Sequence, residues 1–127
     1  MKYMLLIYLD EKELEESERQ ACYEESTALA QDLVAADKFI SASPLQPTAM
    51  ATSVRIREGR RLITDGPFAE TREQLGGFFM VEAADLDDAI SIAARIPMAK
   101  SGTVEVRPVV ELPQLEQAVR ELTASSS

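Results

Sequence analysis

The chain has 127 residues, 46% hydrophobic and 28% charged, which suits one globular domain around a single core. With 13 basic against 22 acidic residues the net charge is −9, which repels phosphate backbones and excludes general, direct nucleic-acid binding. Histidine is absent and cysteine occurs once, as Cys22, so imidazole metal sites, Ser-His or Cys-His pairs and disulfide frameworks are excluded together.

Residues 2–9 are almost continuously apolar and predict a strand covered on both faces. No apolar run reaches the ~20 residues of a bilayer span, and the N-terminal run lacks a small-residue cleavage site. A cytoplasmic protein without membrane contact is therefore expected. A helix is predicted over 12–36, with Leu14, Ala21, Cys22, Leu29, Leu33 and Ala36 on its apolar face and glutamates over the rest. A short strand follows near 39–41, in a stretch punctuated by Pro44 and Pro47. Alternation predicts a strand over 52–57, Glu58-Gly59 a hairpin turn, and 60–64 the returning strand.

The next segment, Thr64-Asp65-Gly66-Pro67-Phe68-Ala69-Glu70-Thr71-Arg72-Glu73-Gln74-Leu75-Gly76-Gly77-Phe78, holds the densest local specification in the chain. Asp-Gly-Pro is turn chemistry, in which the Asp65 side chain is expected to accept from backbone amides of its own turn. Glu70, Arg72 and Glu73 read as one acidic helical turn. Residues 78–83 predict another strand. Asp85 is placed to cap a helix with a buried stripe of Leu86, Ala89, Ile90, Ala93 and Ile96, stopped by Pro97. Residues 103–110 form the last predicted strand, 113–127 a C-terminal helix and a frayed tail (124–127), and 1–112 the domain proper. The order reads as an α+β sandwich, two helices on one face of an antiparallel sheet. Strands apolar on both sides leave the second face to be covered, and a homodimer is the expectation.

Asp65-Gly66-Pro67-Phe68 and the residues after it resemble the signature of the DGPF family, within the YCII-related proteins. The opening strand and Val104-Glu105-Val106-Arg107-Pro108-Val109 are similar to that family's first and last strands. The resemblance implies a ferredoxin-like protomer whose sheets pair face to face as a dimeric α+β barrel. Relatives in that family are understood to use a histidine and an aspartate as an acid–base pair. The histidine has no counterpart here, which leaves Asp65 as the candidate catalytic group. DGPF-type domains also occur beside or fused to extracytoplasmic-function sigma factors, which implies a sigma-factor-related protein partner as the alternative to ligand binding.

Polar residues that interrupt the strands complete the candidate site. Glu82 and Glu105 are expected to pair across strands with an arginine, and Arg55 and Arg57 to serve such pairs. Arg107, read as part-buried on a central strand, requires a carboxylate from Asp65, Glu70 or Glu73. Asp65, Phe68, Glu70, Arg72, Glu73 and Arg107 thus form the candidate pocket for a small anionic ligand, since arginine grips carboxylates bidentately. No metal and no redox cofactor are expected.

Overall fold

A computed structural model describes residues 1–125 and resolves the chain into six strands and three helices. The central strand β1 (Lys2–Leu9) alternates, with Tyr3, Leu5 and Ile7 buried and Met4, Leu6 and Tyr8 half-buried. It pairs antiparallel with β5 (Gln74–Glu82) on one side and β6 (Thr103–Pro108) on the other. Strand β2 (Phe39–Pro44) adds to the far edge of β5, giving the order β2-β5-β1-β6. Helices α1 (Glu16–Ala35) and α2 (Leu86–Ala93) cover one face, where Leu29, Leu33, Ala89 and Ile92 close on Tyr3, Leu5, Phe79 and Val81. The opposite face carries Met4, Leu6, Phe78 and Met80 in its two middle strands. Strands β3 (Thr52–Arg57) and β4 (Arg60–Asp65) form a separate two-stranded ribbon, and α3 (Pro113–Ser125) ends the described chain. Ser126 and Ser127 of the expected tail lie outside the described residues, whereas Ala124 and Ser125 belong to α3. Among the described residues no helix is long and apolar enough to cross a membrane.

Local chemistry explains the element ends. The first helix begins at Glu16, four residues later than expected, because Asp10 organises a turn in which its Oδ1 accepts from the Lys12 N–H and its carbonyl from the Glu13 N–H. Its C-terminus closes by a Schellman arrangement: the Lys38 N–H reaches the Leu33 carbonyl at 2.8 Å, the Asp37 N–H that of Val34 at 3.1 Å, and Asp37 takes φ 60°. Glu58 and Gly59 both adopt positive φ, 51° and 75°, as a two-residue hairpin turn matched to strand twist requires. In the second helix Ile92 takes the buried place expected for Ile90, and Leu86 and Ile90 stay about half exposed.

Asp85 caps α2 as expected, its Oδ1 accepting from the Asp88 N–H at 2.9 Å. The Asp88 carboxylate in turn accepts from the Ala84 N–H at 2.9 Å and grips Lys38 Nζ at 2.9 and 3.0 Å. The Ala84 amide first, and Lys38 second, hold its carboxyl below the ordinary aspartate value of 3.8. A pKa lowered by folding stabilises the native state fully above the unfolded-chain value, and that contribution disappears as pH falls through the lower folded value. Asp88→Asn is therefore expected to flatten the acid limb of a plot of Tm against pH while leaving its neutral region's slope unchanged. An unaltered acid limb would show that Asp88 contributes nothing to it.

Candidate functional site

The face of α1 above the sheet changes character along its length. Leu29 and Leu33 fill the core at its C-terminal half. At the N-terminal half the inward positions Arg19, Cys22, Tyr23, Ser26, Thr27 and Ala30 follow helical spacing but supply little apolar bulk. The wall opposite is also lean in side chains, with Ala42, Gly76 and Gly77 beside Ile7, Leu9, Phe39 and Phe79. Small residues facing small residues cannot close the gap, and a cavity of about 530 Å³ remains between α1, β1, β2 and β5. That size falls within the range of ligand pockets.

Its walls are mainly apolar, while Arg19, Tyr23, Ser26 and Gln46 bring polar groups to it. Glu11 also lines the cavity, but its Oε1 accepts from the Thr48 N–H at 3.0 Å and its Oε2 from the Thr48 hydroxyl at 2.8 Å. These bonds tie the turn at the end of β1 to the short helical turn Thr48–Met50, fastening the rim. Among the described residues Arg19 approaches a carboxylate only at Glu16, at 3.8 Å, where Glu16 is well exposed. Burial, together with the nearby charges of Glu25 and Glu18, pushes the Cys22 thiol up and disfavours the nucleophilic thiolate. The cavity is equipped to hold a molecule by shape and hydrogen bonding.

The expected signature site is distributed differently. Residues 66–73 form an irregular loop with no helical turn, because Thr71 and Gln74 direct their side chains to the Glu73, Thr71 and Arg72 carbonyls. Strand β5 then starts at Gln74, so Gly76 and Gly77 lie inside a strand, at a bulge where Ile7 faces Gly77 and Tyr8 faces Leu75. Asp65 ends β4, exposed, and makes no side-chain bond to its turn; Gly66, at φ 92°, is held by its N–H to the Ala51 carbonyl and by the Ser53 hydroxyl on its own carbonyl. Phe68 is 79% exposed, and Glu70 is exposed too. Glu73 accepts from the Thr103 hydroxyl at 2.8 Å. It shares a recess of about 480 Å³ with Arg72, Asp10, Glu13 and Ser101, so the fold brings two of the six candidates together.

Arg107 requires a correction. Its strand is the sheet edge, beyond β1, where the guanidinium is exposed and desolvation demands no partner. Among the described residues no signature carboxylate forms an ion pair with any arginine. The expected cross-strand arginine pairs are missing for the same reason: Glu82 meets the N-terminal amine at 2.7 Å, Glu105 accepts from Tyr8 at 3.5 Å, and Arg55 and Arg57 lie on the solvated ribbon.

The cavity is not among the sites expected from the sequence. A signal was available in the spacing 19, 22, 23, 26, 27, 30, one continuous helix face whose residues are too small or too polar to pack onto a sheet.

Comparison with known proteins places these features in a wider group. The family model of the YCII-related domain matches residues 1–113, which include every cavity-lining residue. An uncharacterized protein of Rhizobium meliloti (strain 1021), R00369, is 37% identical over 116 residues, covering 86% of this chain and 92% of that protein.

Proposed function

The chain belongs to the YCII-related domain family, and from that premise we propose that it is a small-molecule-binding homodimer whose ligand site is the cavity between α1 and the sheet. The observation that carries this reading is the cavity of about 530 Å³, apolar in its walls and polar where Arg19, Tyr23, Ser26 and Gln46 meet it. The site adjoins the far end of the signature segment through Gly76 and Gly77, and the Asp65-Gly66-Pro67-Phe68 turn stands apart from its lining. Binding is favoured over catalysis: the lining holds no histidine, and its thiol is biased towards the unreactive form.

The protomer is read as ferredoxin-like and the dimer as an α+β barrel. Support comes from the strand order β2-β5-β1-β6, with α1 and α2 on one face and Met4, Leu6, Phe78 and Met80, half-buried, on the other. A second copy laid on that face would bury the apolar centre of each sheet, and a specific pairing should remove more than ~1,000 Å² in total from water.

Titration with a neutral fluorescent probe, N-phenyl-1-naphthylamine, tests the cavity. Saturable binding of one probe per chain is expected in the parent. Ala30→Trp, which puts an indole into the space, should weaken it by roughly tenfold or more while the circular dichroism is retained. Equal binding by a folded Ala30→Trp chain would remove the cavity as the ligand site.

A further inference from the structure

The cavity's polar groups are unequal in what they can offer a ligand. Both carboxylate oxygens of Glu11 are engaged by Thr48, which fixes the side chain against the rim. The Thr27 hydroxyl donates to the Tyr23 carbonyl at 2.8 Å. The Arg19 guanidinium carries five N–H donors, and among the described residues its one ion-pair contact is the 3.8 Å approach of Glu16, longer than a charge-assisted hydrogen bond. The side chains of Ser26, Tyr23 and Gln46 add further donors at the same cavity. The walls also include Ile7, Leu9, Phe39 and Phe79, which provide no hydrogen-bonding groups from their side chains. The cavity is thus mainly apolar in its walls and supplied with donors by Arg19, Tyr23, Ser26 and Gln46, and among the described residues the Arg19 guanidinium has no carboxylate closer than 3.8 Å.

We propose that the cavity binds an amphipathic monocarboxylate, its hydrocarbon body against Ile7, Leu9, Phe39 and Phe79 and its carboxylate on Arg19. This rests on the reading that the cavity takes a ligand, and it adds the chemical class. A guanidinium presents a planar pair of donors that fits two carboxylate oxygens, which neither an alcohol nor an amine can supply. The chain's net charge of −9 is screened by salt at long range, the lining carboxylate of Glu11 is engaged by Thr48, and Arg19 acts on the ligand at contact. The second carboxylate of a dicarboxylate would have to enter the apolar walls unpaired, so one charge per ligand is the fitting number.

The test is displacement of N-phenyl-1-naphthylamine by octanoate, octan-1-ol and octylamine, which differ only in the head group. In the parent chain octanoate is expected to displace at about tenfold lower concentration than either competitor, the advantage a charge-assisted hydrogen bond confers. In Arg19→Gln, with each displacement referred to that variant's own probe affinity, that advantage should shrink to within about twofold; Arg19→Lys should keep part of it. The head-group assignment is overturned if octan-1-ol or octylamine matches octanoate in the parent, or if the octanoate preference survives in Arg19→Gln. Either result leaves the cavity standing as a ligand site. If the probe binds no chain, or no octyl compound displaces it, the cavity reading falls and the carboxylate assignment falls with it. The parent comparison among the three heads needs no variant, so a misfolded Arg19→Gln would not protect the proposal.

Discussion

Sedimentation of the Leu6→Asp chain at micromolar concentration is expected to return a species of 14.0 kDa, while the parent sediments at twice that mass. Leu6 sits at the centre of the face left open by α1 and α2, opposite Glu105 on β6 and Phe78 on β5. The next row sets Met4 between Arg107 and Met80. The middle of the face is thus apolar, while Arg107 and Glu105 on one side and Ser41 and Ser43 on the other give it a polar border, the anatomy of a protein–protein interface. An aspartate at its centre would be desolvated without a partner, at a cost of about 3 kcal/mol or more. A two-fold axis puts two such groups into each dimer, and about 1.4 kcal/mol is tenfold in affinity, so the dissociation constant should rise by roughly four orders of magnitude. Met80→Asp should do the same from the neighbouring position, which guards against a fold defect peculiar to β1. A parent chain that sediments as a monomer, or two folded aspartate variants that remain dimers, would refute a pairing through this face.

Much of the protomer's fold is legible in the sequence. The uninterrupted apolar run at the N-terminus announced a strand with demands on both faces, and β1 is that strand, at the sheet's interior. Glu58-Gly59 and Asp85 marked their turn and cap because their chemistry is local. The exposed, edge position of Arg107 is not contained in any six-residue window. Whether β6 is central or an edge depends on how residues about a hundred positions apart pair, as Met4 does with Arg107. The charges at 70–73 were spaced for a helical turn, but Thr71 and Gln74 bond to nearby carbonyls and hold the loop irregular. The cavity escaped because a serine or threonine on a helix reads as solvated until the opposite wall is known. Here that wall includes Ala42, Gly76 and Gly77, brought there by β2 and β5.

Gly102→Ala is expected to destabilise the fold more than Gly66→Ala or Gly76→Ala. Gly102 sits between the short helical turn Pro97–Lys100 and β6, with its N–H on the Met98 carbonyl at 2.7 Å. A methyl group there would overlap the Tyr8 carbonyl oxygen and lie 3.2 Å from the Tyr8 carbonyl carbon and 3.3 Å from the Met98 oxygen. These are backbone atoms of elements fixed on both sides, since Tyr8 pairs with Thr103 and with Leu75 and Met98 belongs to the core. Relief would require β6 to move off β1, at a cost of about 3 kcal/mol. For a chain of this length that is a fall in Tm of about 10 °C. At Gly76 the added methyl would crowd the Leu9 side chain, which can rotate away, and would touch the Ile7 carbonyl oxygen at an ordinary 3.9 Å. At Gly66 it would meet open space, leaving the strain of φ 92° as the main penalty, about 1 kcal/mol. Thermal unfolding should therefore rank Gly102→Ala as the most damaging of the three. A Tm for Gly102→Ala at or above that of Gly66→Ala would mean that β6 can shift freely against β1, and the sheet edge would have to be regarded as loosely joined.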